Sequence, residues 1–189
     1  NGTSGQPYIK TTQDNQFGPT TVMDFVNPGG QWTRFDLQGT TQTLAGITST
    51  GIGGIIQNRE GAGGGNSTLI VDNATAFTFA GHVRDGGSGT LSLVKEGAGT
   101  LTLEAYDANT NRVFYTGTTT VNEGRLVLDS LYESDTFRYQ SDTTVNAGAV
   151  LELAGAKNWE DGTTGWDLTL NNATLDKTNT GYNTFNNSN

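Results

Sequence analysis

The chain has 189 residues, a length typical of one β domain, and its 19 acidic and 10 basic residues give a net charge of -9. This charge disfavours nucleic acid and anionic membrane surfaces as partners, since both need a positive field on the protein. The absence of cysteine excludes disulfides and thiolate metal sites, and no apolar run is long enough to predict insertion of this segment into a membrane.

The first third of the chain shows no clear repeat. Aromatic residues are scattered there among proline and paired glycine, so residues 1–34 are predicted to be an irregular N-terminal segment, an edge cover or a distorted first turn. FDLQGTTQTLAGI, at 35–47, then predicts a strand, a turn and a strand. GIGGIIQN predicts a further strand through Ile55 and Ile56.

From residue 69 onward, one strand, turn and strand unit recurs. The first strands are predicted at 69–71, 91–94, 119–121, 143–145 and 168–170. Small turn residues follow at Ala74, Gly97, Gly124, Gly148 and Ala173, so we expect turn glycines at Gly97, Gly124 and Gly148. Apolar residues then alternate with polar ones, as in LTL and LVL, which indicates a strand with one buried face.

A unit this short cannot bury its own apolar face, so consecutive copies must stack, each strand against its equivalent in the next copy. The predicted fold is all-β. It is a parallel β-helix, or β-solenoid, whose turns, called rungs below, have about 24 residues. We expect the β-helix to cover 35–178 and a polar tail to cover 179–189.

One position after the first strand is polar in most copies. It holds Asp72, Asn122, Asn146 and Asn171, and Lys95 interrupts the series. Stacked amides can hydrogen-bond from rung to rung, so these four residues predict a structural ladder. The alternative is an ion or sugar site lined by the same side chains.

Two segments that do not repeat are candidate interaction loops. In the first, Asp107, Asn109 and Asn111 begin like a calcium loop, but arginine follows where an EF-hand needs glycine. A looser calcium site shared with Glu104 or Asp129 is the alternative to a plain exposed loop.

The second candidate loop contains Trp159 and Trp166, on either side of EDGTTG. Exposed tryptophans can stack on sugar rings, whereas buried ones fill a core, and packing is the favoured alternative.

No group of residues predicts catalysis, a cofactor or a resident metal. His82, Asp85 and Ser88 share one glycine-rich stretch, where triad geometry is rarely achieved. Scattered acids could supply the carboxyl pair of a glycosidase or lyase, but solvated surface charge is the favoured interpretation. These acids are Asp135, Asp142, Glu152, Glu160, Asp161 and Asp167, with Arg138 as a candidate base.

LVKEGAGTLTL at 93–103, followed by YTGTTTVNEGRLVL at 115–128, resembles the autotransporter-associated β-strand repeat, also called the passenger-associated transport repeat. Similar flanks extend the likeness over 35–155, and the chain departs from the pattern by inserting EAYDANTNRVF between the two blocks. The resemblance implies a right-handed β-helix in a passenger-like protein, secreted to the bacterial cell surface or outer membrane, and no catalytic residues.

Three functions are therefore open. The first is a non-enzymatic extracellular scaffold or passenger segment that aids its own export and presents loops for adhesion. The second is a subunit of a self-assembling filament or surface layer, built by head-to-tail stacking. The third is a polysaccharide-active or glycan-binding β-helix. The expected partners are neighbouring rungs of a longer chain, further copies of the chain, or a glycan or other cell-surface ligand.

Overall fold

The computed structural model describes residues 7–26, 32–59, 64–105, 113–130, 139–155 and 166–178. These residues form strands and no helix, so the described part of the chain offers no helix able to cross a membrane. The strands are β1 (Tyr8–Lys10), β2 (Val22–Val26), β3 (Thr33–Asp36), β4 (Thr41–Leu44), β5 (Gly46–Thr50), β6 (Gly54–Asn58), β7 (Ser67–Asp72), β8 (Phe77–Phe79), β9 (His82–Asp85), β10 (Leu91–Glu96), β11 (Thr100–Ala105), β12 (Val113–Phe114), β13 (Thr119–Val121), β14 (Arg125–Ser130), β15 (Thr143–Val145), β16 (Val150–Gly155), β17 (Leu168–Leu170) and β18 (Thr174–Lys177).

The strands stack in parallel into sheets that run along the solenoid. Sheet 1 has the order β1-β3-β6-β9-β12, sheet 2 has β4-β7-β10-β13-β15-β17, and sheet 3 has β8-β11-β14-β16-β18. Sheet 4 consists of β2 and β5, and β5 lies beside β8 of sheet 3. The chain forms a β-solenoid of about 5 turns with a spacing of about 25 residues, which confirms the predicted all-β, parallel stacked fold.

Sheet 1 is the face that the sequence repeat does not predict. Its strands β9 and β12 fall in stretches without visible periodicity. The reason is irregular spacing: the register partners Arg34 and Ile55 are 21 residues apart, whereas Val83 and Val113 are 30 apart. The rungs that begin with β9 and β12 therefore have three strands where the sequence predicts two.

The alternating apolar residues form continuous columns in the core. Each residue pairs with its equivalent one rung away, so an inward side chain always meets another inward side chain. One column is Phe77, Leu101, Leu126, Leu151 and Leu175, and its neighbour is Phe79, Leu103, Leu128 and Leu153. Lys177 continues the second column at its exposed end.

Residues before position 35 supply edge strands to the stack. β1 pairs in parallel with β3, and β2 pairs in parallel with β5. Met23 and Phe25 of β2 are buried in the core, so this part of the predicted irregular segment is ordered as β structure. The predicted polar tail lies outside the described residues, and the boundaries at 35 and 178 stay predictions.

The three predicted turn glycines all adopt the left-handed backbone conformation. Their φ angles are 70° at Gly97, 66° at Gly124 and 83° at Gly148. In the last rung Asn172, with φ 53°, takes this position instead of the predicted Ala173. Asparagine tolerates the left-handed region better than a residue with an ordinary side chain, which explains the difference.

Two of these glycines also allow close contact between rungs. A Cβ atom on Gly124 would lie 2.4 Å from the carbonyl oxygen of Gly99, and one on Gly97 would lie 2.6 Å from that of Asn73. A Cβ on Gly148 would meet nothing within 4 Å. The left-handed conformation therefore favours glycine at all three positions, and the lack of space requires it at two.

Gly124→Ala should cost about 3 kcal/mol of unfolding free energy, because backbone strain and a backbone clash add, whereas Gly148→Ala should cost about 1 kcal/mol from strain alone. Urea unfolding of both variants measures the difference. Gly148→Asn is the matched control and should be close to wild type, since Asn172 occupies the equivalent position. Equal losses for the two alanine variants would contradict this account.

Candidate functional site

Three of the four residues of the predicted ladder, Asn122, Asn146 and Asn171, are hydrogen-bonded in series beside sheet 2, whereas the side chain of Asp72 has no hydrogen bond to its register partner Glu96. The Nδ2 atom of Asn146 donates to Oδ1 of Asn122 at 2.6 Å, and Nδ2 of Asn171 donates to Oδ1 of Asn146 at 3.0 Å. Asn122 itself donates to Oε1 of Glu96 at 2.6 Å. The ladder position in the β10 rung is therefore occupied by Glu96, the register partner of Asp72, and the assignment of this position to Lys95 is wrong.

The ladder has one direction because a carboxylate ends it. The ionised Glu96 side chain can only accept, so Asn122 must present its N–H to it. Its carbonyl oxygen then faces the next rung, which must donate in turn. Each amide keeps one N–H beyond the one used in the ladder.

Lys95 is fully buried, at the inward position that Val71 and Val121 occupy in the neighbouring rungs. Its Nζ atom donates to the carbonyl oxygens of Glu96 and Gly97, both at 2.6 Å, and of Glu123 at 3.2 Å. Burial lowers the pKa of Lys95, and the surrounding carboxylates oppose that shift. The ammonium thus saturates carbonyl groups at the turn between sheets 2 and 3.

A buried aromatic column leads from sheet 1 toward sheet 2 and was not predicted from the sequence. Tyr115 and Tyr139 meet edge to face with ring centroids 5.9 Å apart, and Tyr139 and Trp166 do so at 5.0 Å. The Tyr115 hydroxyl lies 2.7 Å from Oγ1 of Thr119. The Tyr139 hydroxyl donates to the same Oγ1 atom at 2.6 Å. One signal was available: a tyrosine precedes the Thr-Thr-Val motif by the same offset in both copies.

Trp166 is therefore a core residue, 1% exposed. A side chain buried this deeply cannot stack on a sugar from solvent, so packing, the favoured alternative, describes it. The other candidate interaction residues, Asp107, Asn109, Asn111 and Trp159, lie outside the described residues. In the first candidate loop, Glu104 and Phe114 belong to β11 and β12, so only 106–112 separates the strands.

Three long connections in the sequence follow strand ends that lie at adjacent points of the solenoid. They cover 106–112, 131–138 and 156–165, and they start from the last residues of β11, β14 and β16. These residues, Ala105, Ser130 and Gly155, are register partners. Two earlier crossings from sheets 3 and 4 to sheet 1 are short, at 51–53 and 80–81, whereas 27–32 lies between β2 and β3. The extra sequence of the C-terminal rungs therefore follows strand ends that are register partners.

Two carboxyl groups meet on the outer face of sheet 3. Glu104 and Asp129 are register partners. Burial raises the pKa of Glu104, and the neighbouring Asp129 charge adds to the rise. Burial also raises the pKa of Asp129, with a further contribution from Glu152. Glu104 lines a cavity of about 520 Å³ together with Ser49, Thr50, Gly51, Ile52, Thr78 and Ala80.

The other acids considered for catalysis have structural contacts or lie outside the described ranges. Asp85 binds the backbone N–H of Leu91 at 2.7 Å and that of Thr116 at 3.0 Å, which ties two rungs together. Arg125 bridges Glu152 at 2.6 Å and Asp176 at 2.9 Å. Within the described residues, no three His, Asp or Glu side chains are grouped so as to hold a metal ion.

Comparison with known families adds one match. A family model described as the passenger-associated-transport-repeat matches residues 93–128. This segment is therefore similar to the passenger-associated transport repeat. It runs from β10 to β14 and contains the Lys95 contacts, the Gly97 and Gly124 turns and the start of the amide ladder. No curated protein and no solved structure matches the chain.

The repeat and the solenoid together fit a β-helical protein of the autotransporter-passenger type. Passenger-associated transport repeats are found with secreted passengers, which suggests a surface or extracellular protein. The repeat accounts for the scaffold of the site: the turn glycines, the carbonyl contacts of Lys95 and the stacked leucines. The three long connections do not belong to these repeated features.

The buried tyrosines should make stability fall in alkali. Burial raises the pKa of Tyr139 above its ordinary 10.0 and raises that of Tyr115 well above it. Above about pH 10 the unfolded chain loses these protons while the folded chain keeps them, so unfolding free energy drops by about 1.4 kcal/mol per pH unit for each tyrosine.

Urea unfolding between about pH 8 and about pH 11 measures this slope. The double variant Tyr115→Phe, Tyr139→Phe should show a shallower fall, although it starts from lower stability because Thr119 and Thr143 lose hydrogen bonds. Tyr8→Phe, which changes a tyrosine 46% exposed, is the control and should keep the wild-type slope. An unchanged slope in the double variant would contradict the prediction.

Proposed function

We propose that this chain is a non-enzymatic scaffold segment of a secreted or surface-exposed bacterial protein, which aids its own export and presents loops for adhesion. The observation that carries the proposal is the corner at which Ala105, Ser130 and Gly155 stack in register and three long connections begin. Loops that start from a rigid, regular stack can vary in sequence without disturbing the core.

The export role follows from how the stack gains stability. Each new rung buries apolar residues such as Leu126 and Leu128 against the rung already formed. If the rungs form on the outer side of a membrane, each new rung makes movement of the chain back through the membrane less favourable. The difference is the free energy of burial, about 25 cal/mol per Å² of apolar surface. Folding can thus bias transport outward.

A pair of epitope insertions in the exported chain tests both roles. A short flexible epitope inserted within 106–112 should leave folding and surface display unchanged, since doubling a loop costs only about 0.6 kcal/mol. The same epitope between Ala80 and Gly81 should prevent rung formation, because this turn is tight: a Cβ on Gly81 would lie 2.3 Å from the Gly54 carbonyl oxygen.

Antibody labelling of intact cells measures display, and protease resistance measures folding. We expect the second insertion to lower both. Equal display of both chains, with the second unfolded, would contradict the export role. Loss of folding after the first insertion would contradict the loop-presenting role.

Head-to-tail assembly is the second candidate, and one observation favours it. Among the described residues, the large apolar side chains that are exposed lie on edge strands of the stack: Tyr8, Ile9, Val22 and Val26 on β1 and β2, and Leu170 on β17. Unpaired strand edges with apolar side chains favour pairing with a further strand. A second copy could supply that strand.

Sedimentation and electron microscopy over a range of concentrations test this assembly. Wild type should form linear particles that lengthen with concentration, and the variant Val22→Lys, Val26→Lys should not. Thr102→Lys, on the outer face of sheet 3, is the matched control and should assemble like wild type. Single short particles at every concentration would exclude assembly.

A further inference from the structure

Three successive strands of sheet 2 display the same pair of outward side chains. The pair is threonine, then asparagine two positions later, with an inward apolar residue between them. The strands β13, β15 and β17 pair in register. The pairs are Thr120 with Asn122, Thr144 with Asn146, and Thr169 with Asn171. Together they form a grid, here called the Thr-Asn array.

The Thr-Asn array is regular in two directions. Parallel strands lie about 4.8 Å apart, and side chains two positions apart on a strand are separated by about 6.6 Å. The three threonine hydroxyls make no hydrogen bond to another described residue. Each asparagine retains a free N–H. The array thus offers donors and acceptors at fixed intervals, and its side chains are half-buried or exposed.

The ladder holds the asparagine side chains in place before any ligand arrives. Asn146 is fixed from both sides, by Asn122 at 2.6 Å and by Asn171 at 3.0 Å. The threonines are β-branched and have few accessible rotamers. Because little side-chain entropy remains to be lost, even weak polar contacts can contribute to binding.

We propose that the Thr-Asn array binds a neutral polysaccharide along the solenoid, a role that rests on the proposed extracellular function. Its six side chains carry no charge. Asp142 and Asp167, the residues just before β15 and β17, are both exposed beside it, and Glu96 ends the ladder. Carboxylates accept hydrogen bonds from sugar hydroxyls but repel acidic polymers, and the chain's net charge of -9 acts in the same direction.

The size of the array favours a single polymer strand over a protein. Three strands and two columns of side chains cover on the order of 200 Å². A stable protein interface buries about 800 Å² on each partner. A narrow polymer can instead contact the grid repeatedly along its length, so that several weak contacts act together.

The test measures binding of soluble dextran, a β-glucan and a mannan by affinity electrophoresis, with polygalacturonate and heparin as acidic probes. The variant Thr120→Val, Thr144→Val, Thr169→Val removes the hydroxyls but keeps side-chain shape and strand propensity. We expect wild type to bind at least one neutral polymer and the variant to bind it about tenfold more weakly.

The matched control is Thr78→Val, Thr102→Val, Thr174→Val, which makes the same change on the outer face of sheet 3. It should bind like wild type, and unfolding curves should show both variants folded. Equal affinity of the two variants, binding of acidic probes only, or no binding to any neutral polymer would overturn the proposal. Normal display in the epitope experiment combined with any of these results would leave the scaffold role standing and remove the glycan role alone.

Discussion

The structure depends on one constraint: each strand must meet its equivalent in the next rung without a shift of one position. A shift by a single residue would turn every inward side chain outward. The chain keeps register although its turns differ in length. Leu126 follows Gly124 by two positions and Leu151 follows Gly148 by three, yet the two leucines are partners. The buried Ala149 accommodates the additional residue within the turn.

Close stacking leaves polar backbone groups at the corners, where no strand pairs with them. Side chains take over this role. Lys95 satisfies three carbonyl groups between sheets 2 and 3, and Asn58 donates to the carbonyl oxygens of Gly65 and Thr90 while accepting from Ser67. Lys95 and Asn58 can be buried because these hydrogen bonds replace the ones that their polar groups would make with water. The thin apolar core is thus supplemented by bonds that also fix the register.

Sequence periodicity predicts the parts of the fold that repeat at a constant interval. The leucine columns, the glycine turns and the amide ladder recur every 24 to 27 residues and were found from the sequence. In sheet 1, β3 and β6 coincide with predicted strands, whereas β1, β9 and β12 were missed because they are short and unevenly spaced. Lys95 was assigned to the ladder position, one residue away from its true place, because its charge suggested that it points to the polar side of the strand. An apolar stem with an ammonium at its end can instead lie inward, provided that carbonyl groups lie within reach.

The candidate sites also fall into two groups, those at repeating positions and those in segments that do not repeat. Positions that are constrained by stacking, such as Asn146 and Thr144, form arrays whose spacing is set by the backbone, so any ligand there must be periodic itself. Positions in the long connections are free of that constraint and can suit an irregular surface such as another protein. The two kinds of surface also lie apart: the Thr-Asn array is on the outer face of sheet 2, whereas the connections start at the far end of sheet 3. A rod that carries both can hold a regular polymer along one face while its loops remain available for a different partner.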